Sequence, residues 1–106
     1  MALSLSKGQR SGGMPAWFYL LRLRSGALYP GATTQPAERY DAHCRGTACR
    51  TTRLDPPVGL AYSEEKATFP EARRREAQVK KWTRAKKEAL ARGDAVALRR
   101  LSVSRD

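Results

Sequence analysis

Trp17-Phe18-Tyr19-Leu20-Leu21-Arg22-Leu23, followed by Arg24-Ser25-Gly26 and then Ala27-Leu28-Tyr29-Pro30-Gly31-Ala32-Thr33, is the run that decides the fold. Aromatic and apolar residues dominate both arms, and a glycine-containing turn separates them, so the run reads as a β-hairpin. Alternation along the first arm puts Tyr19, Leu21 and Leu23 on one face. Pro30 has no N–H to give to a ladder, so the second arm lies at a sheet edge or beside a bulge, with Gly31 permitting close backbone approach and the sheet opening beside Tyr29.

Working outward, Thr34-Gln35-Pro36 reads as a helix start with a capping hydroxyl, and the helix runs to about Cys44 before Gly46 ends it. Residues 45–57, RGTACRTTRLDPP, read as a polar loop closed by two prolines, and a third strand follows near Val58 to Ser63. From Pro70 a helix carries EARRREAQVKKW; a second, capped by Thr83, stops at Gly93; a short third is capped by Asp94. The predicted architecture is α/β of the α+β type, a small three-stranded antiparallel sheet flanked by helices in the order ββαβααα. Residues 1–16, rich in Ser, Gly and Lys without periodicity, are expected to form a disordered tail, with Met14 a candidate translation start and 17–106 the domain.

At 106 residues the chain has room for one core, and its 41% hydrophobic content is near the globular average. Charge is the departure: 21 Lys and Arg against 10 acidic residues give +11, the signature of a protein with a polyanionic partner. Nine basic residues and two acidic ones fall between Arg73 and Arg92. Arg73, Arg74, Lys80, Lys81, Arg84, Lys86 and Lys87 suit a salt-dependent, sequence-indifferent grip on a nucleic-acid backbone, although a basic helix exterior equally reads as a solvated face. The longest apolar run, Ala16 to Leu21, is too short for a signal-peptide core or a spanning helix, so a cytoplasmic protein with no membrane partner is expected, and no obligate protein partner is evident. Cys44 and Cys49 read as reduced thiols, and their spacing with His43 fits no structural zinc motif.

Helical spacing sets Arg39 and His43 one above the other, on the side of Pro36 and Tyr40, so a cation and an imidazole share the inward face. On the later helix Ala72, Val79 and Trp82 mark the apolar stripe, and Glu76 falls about 40° from Ala72. A carboxylate there is costly unless it is paired or holds a metal.

The ordered set Phe18-Tyr19, Tyr29-Pro30-Gly31, Arg39 and His43 within AERYDAH, and Glu76 resembles the GIY-YIG nuclease superfamily, in particular its small bacterial single-domain members. The resemblance spans residues 17–92. Departures are Trp17-Phe18 in place of the glycine and isoleucine of the first motif, Pro30 at the centre of the second, and Ala32 where some relatives carry a lysine. The resemblance implies a metal-dependent DNA endonuclease in which Tyr19, Tyr29, Arg39, His43 and Glu76 are catalytic and Gly31 is the motif glycine. Glu76 would hold one Mg²⁺ or Mn²⁺, Arg39 would clamp the phosphate, and one of the two tyrosines, its pKa depressed by Arg39 or the metal, would be the general base. His43 would orient a tyrosine or water, or relay a proton. The competing reading from another class is a non-catalytic basic nucleic-acid-binding module that keeps the fold. If residues 1–13 contribute nothing to the core, deleting them leaves the thermal midpoint unchanged in a calorimetric scan.

Overall fold

The computed structural model describes residues 14–104. Strand β1 spans Ala16–Leu23 and β2 Leu28–Thr33, followed by helices α1 (Pro36–Arg45) and α2 (Arg50–Leu54), strand β3 (Pro57–Lys66) and helices α3 (Phe69–Lys80), α4 (Arg84–Arg92) and α5 (Ala95–Ser104). The sheet is antiparallel with the order β2-β1-β3, so the hairpin's first arm is the central strand. The expected class holds, with one addition: part of the polar loop 45–57 winds into α2. Residues 1–13 of the expected tail lie outside the described residues, whereas Ala16, at its other end, is the fully buried first residue of β1.

The hairpin turn closes as its composition predicts. Leu23 N–H donates to the Ala27 carbonyl at 2.9 Å, and Gly26 sits at φ 96°, which an L side chain resists. Pro30 does lie on an edge strand, but the β1–β2 register runs unbroken through Leu20↔Pro30, and the irregularities fall between β1 and β3. The sheet therefore does not open beside Tyr29. A proline on the outer strand keeps the register because only its missing donor is lost and its carbonyl remains.

Alternation on β1 divides the core in two. Phe18 and Leu20 pack with Leu28, Val79 and Leu90 on the face covered by α3 and α4, and Trp82 and Tyr62 join that cluster as packing residues. Tyr19, Leu21 and Leu23 form a second cluster with Tyr29 and with Tyr40 of α1. Two helices are capped as read, Thr83 accepting from Lys86 N–H and Asp94 from Ala97 N–H, Thr68 adds a cap by accepting from Glu71 N–H, and Gly46 and Gly93 end α1 and α4 in the left-handed region. The start of α1 differs. Its N-cap is Gln35, with no side-chain cap, because the nearby hydroxyl that engages this turn is Thr33, which accepts from Gln35 N–H at 2.9 Å.

Arg22 locks the hairpin to α4 with a two-pronged pair to Glu88 at 2.5 and 2.8 Å. No helix among the described residues is long and apolar enough to cross a membrane. Leu20 is fully buried at the centre of the first cluster, so Leu20→Ala should lower unfolding free energy by about 2–5 kcal/mol in urea titration.

Candidate active site

The site is assembled around a glycine. Tyr19 of β1 and Gly31 of β2 are cross-strand partners, and a Cβ on Gly31 would fall within 3.0 Å of the Tyr19 ring and hydroxyl. The phenol lies across the backbone of the neighbouring strand, a position only glycine leaves open. From there its hydroxyl meets Nε2 of His43 at 2.9 Å.

His43 is fully buried on α1, and its other nitrogen, Nδ1, is 2.8 Å from the Thr52 hydroxyl. Thr52 is itself fully buried, lies 3.4 Å from the Cys49 sulfur, and that sulfur lies 3.3 Å from the Tyr29 hydroxyl. One chain of polar groups thus joins Tyr19 to Tyr29 through His43, Thr52 and Cys49. The His43 ring also meets both tyrosine rings edge-on, with centroids 5.9 Å from Tyr19 and 5.4 Å from Tyr29.

Arg39 differs from its expected placement on the inward face. It is exposed, and its guanidinium acts on the Tyr19 phenol from the rim of the site, favouring the ionised form. The difference arises because α1 turns its buried side at His43 alone, leaving one turn earlier in solvent. Glu76 is the half-buried residue of α3 whose charge acts on both phenols. It is not unpaired: its carboxylate oxygens lie 3.4 Å from Arg73 and 3.7 Å from Lys80.

Electrostatics also departs from expectation. Burial raises the Tyr19 pKa above 10.0, and the opposing hydrogen bond and charge of Arg39 only partly offset it. Tyr29 is raised as well, by burial first and then by Cys49. Arg39 by itself ionises neither phenol, because burial penalises the phenolate more than the guanidinium favours it at Tyr19, and no cation offsets burial at Tyr29. His43 moves the other way: burial, then the Arg39 charge, holds its pKa below 6.5, so it is a neutral imidazole near pH 7. At Cys49 burial pushes the thiol pKa up, but the neighbouring Thr52 and Tyr29 hydroxyls and the backbone of Thr52 and Thr51 outweigh it, and the net shift is downward.

The basic residues divide by location. Arg73 and Lys80 flank Glu76, while Arg74 and Lys81 are exposed. Arg84 is tied to Glu88 and to the Gly26 carbonyl, Lys86 lies over the Trp82 ring at 4.2 Å, and Lys87 is half-buried on α4. Thr52 and Cys49 are the site residues that the sequence reading missed, since a polar loop with two adjacent threonines carries no periodicity to single one out.

A known family model, described as the GIY-YIG catalytic domain, matches residues 15–89. The chain belongs to this family. A UPF0213 protein of Pseudomonas aeruginosa is 39% identical over 72 residues, covering 68% of this chain and 69% of the relative. One from Xanthomonas axonopodis pv. citri is 40% identical over 73 residues, covering 69% and 72%. The solution structure of the UPF0213 protein BH0048 from Bacillus halodurans matches with TM-score 0.50 and 32% identity, over 76% of this chain and 86% of that one. The GIY-YIG domain defines a nuclease superfamily whose members generally use divalent metals.

The GIY-YIG residues here fit a hard cation through oxygen. Glu76 supplies one carboxylate, and among the described residues no cluster of three or more His, Cys, Asp or Glu offers a dedicated cage. That donor set suits Mg²⁺ or Mn²⁺ carrying several waters.

The neutral buried imidazole makes a pH prediction. In the unfolded chain His43 takes up a proton near its ordinary value of 6.5, and in the folded chain only at lower pH, so acid favours unfolding. Stability should fall as pH drops from about 7.5 to about 5.5, and this slope should flatten in His43→Gln, as read by thermal midpoints across the range.

Proposed function

We propose that this GIY-YIG protein hydrolyses phosphodiester bonds in DNA with a divalent cation, Mg²⁺ or Mn²⁺, as an endonuclease. The observation that carries this reading is the meeting of a neutral buried imidazole, a phenol hydrogen-bonded to it, a guanidinium on that same phenol, and a nearby carboxylate. Each component of phosphodiester hydrolysis has a residue to serve it.

Arg39, exposed at the rim with a planar fork of donors, takes the scissile phosphate. Tyr19 accepts a proton from the attacking water while its own proton passes to Nε2 of His43, so no free phenolate has to form. The resulting hydroxide attacks phosphorus and displaces the sugar oxygen. His43, its pKa held below 6.5, then hands the proton back to Tyr19, which releases one to the departing sugar oxygen, so the sugar hydroxyl forms and the relay is reset. Glu76 would hold the cation, which supplies positive charge for the phosphate and the departing oxygen. Tyr29, linked to the same chain through Cys49, holds the far end of the relay. Exposed Arg74 and Lys81, with Arg73 and Lys80 beside Glu76, support backbone binding, and the +11 charge favours a polyanion of any sequence. Arg84, Lys86 and Lys87 of α4 add to that field.

The test is nicking of supercoiled, branched and single-stranded DNA with Mg²⁺ or Mn²⁺. Glu76→Gln should abolish metal-dependent cleavage and leave DNA affinity intact, because the phosphate grip comes from cations. Its stability should change little, since the two ion pairs it loses reach exposed partners and exposed pairs contribute about 0–1 kcal/mol. A variant that still cuts removes Glu76 from the chemistry, and a wild type that binds DNA without cutting it is a binding module instead.

A further inference from the structure

We propose that the apolar groove beside Tyr19, between β3 and α1, is a subsite for one nucleobase that has left its stack. The proposal rests on the nuclease reading above for the place of the phosphate, and it names the substrate class of that site: DNA with an unpaired nucleotide next to the scissile bond. The groove has a volume of about 420 Å³. Sites for small organic groups usually fall between roughly 300 and 1,000 Å³.

Strand alternation builds the floor. Trp17, Tyr19 and Leu21 share one face of β1, and the β1–β3 register sets Leu21 opposite Leu60. Pro36 and Tyr40 of α1 form the opposing wall. Tyr19 and Leu21 are buried, but Leu60 is 57% exposed, so the floor continues into apolar surface open to solvent. A phosphate does not suit this lining, because charge held against apolar side chains without paired donors is costly. A nucleobase suits it: the ring has flat apolar faces, and bases of every kind stack on aromatic side chains such as Trp17 and Tyr40.

Position and charge select this occupant. Arg39 is exposed on α1 between Ala37 and Tyr40, both of which line the groove. A nucleotide with its phosphate at Arg39 therefore carries its base, one sugar away, to the groove. A second copy of this chain would bring another +11 to the same face, whereas a nucleotide brings a negative charge to the guanidinium and a ring to the apolar floor. In a duplex the faces of each base are covered by its neighbours, so only an unstacked base can enter. Unstacking costs least where the base is mismatched or already unpaired, and the groove thereby turns a binding contact into a choice of DNA structure.

The test is fluorescence anisotropy in EDTA, where nothing is cut, with three labelled DNA duplexes: fully paired, carrying a one-nucleotide bulge, and carrying the same bulge as an abasic residue. The wild type should bind the intact bulge about tenfold more tightly than the other two. Tyr40→Phe, which keeps the ring, should retain that preference. Tyr40→Ala should lose most of it, with affinity for the paired duplex unchanged. Leu60→Gln should reduce it as well, and because Leu60 is largely exposed this variant keeps the fold, which thermal midpoints verify for all three. Equal wild-type affinity for intact and abasic bulges, or an undiminished preference in Leu60→Gln, would overturn the proposal. So would a dimer in sedimentation velocity that Leu60→Gln dissolves, which assigns the groove to a second copy. A wild type that shows the preference but cuts no DNA with Mg²⁺ or Mn²⁺ overturns the nuclease reading alone.

Discussion

A fully buried imidazole with both nitrogens bonded constrains everything around it. Leaving either nitrogen without a partner in that environment would cost about 1–3 kcal/mol, so Tyr19 and Thr52 must both be in reach of His43. Those partners sit on β1 and α2, and His43 sits on α1, so one side chain ties the central strand to two helices. Tyr19 reaches the imidazole only because its ring crosses the backbone at Gly31. Pro30 beside it leaves the edge strand in register.

The large positive charge is partly absorbed by the fold and partly left for a partner. Arg22 binds Glu88, and Arg75 lies in a nest of Glu64, Phe18 and Trp82, where its stem and plane serve packing as much as charge. Glu64 is held below the usual carboxylate range: burial opposes ionisation, but Tyr62, Arg75 and Lys66 donate to it and prevail. Arg73 and Lys80 instead sit at the carboxylate of Glu76, at distances of 3.4 and 3.7 Å that leave both free to turn toward another anion. Charge is thereby concentrated beside the tyrosines.

Burial sets the direction of proton flow in the site. It raises both phenols and lowers the imidazole, so the phenol keeps its proton until chemistry demands it and the neutral imidazole stands ready to receive it. A pre-ionised tyrosine would need a nearby charge strong enough to outweigh desolvation, and Arg39, exposed at the rim, does not supply it. Passing the proton along a hydrogen bond avoids that requirement.

The hairpin, the three-stranded sheet, the helix caps at Thr83 and Asp94 and the glycine stops at Gly46 and Gly93 were legible in the sequence because each depends on near neighbours: alternation, a turn glycine, a hydroxyl or carboxylate three residues from an N–H. The close backbone approach at Gly31 and the one-turn spacing of Arg39 and His43 on a single helix were legible as motif spacing. What the tertiary structure alone decided is which of these residues lose water. Burial of His43, exposure of Arg39, the upward shift of both phenols and the partners of Glu76 depend on chain segments far apart in sequence. The winding of Arg50–Leu54 into α2 and the arrival of Thr52 at Nδ1 belong to the same class, since β-branched threonines favour no helix of their own and desolvation is a property of the packed whole.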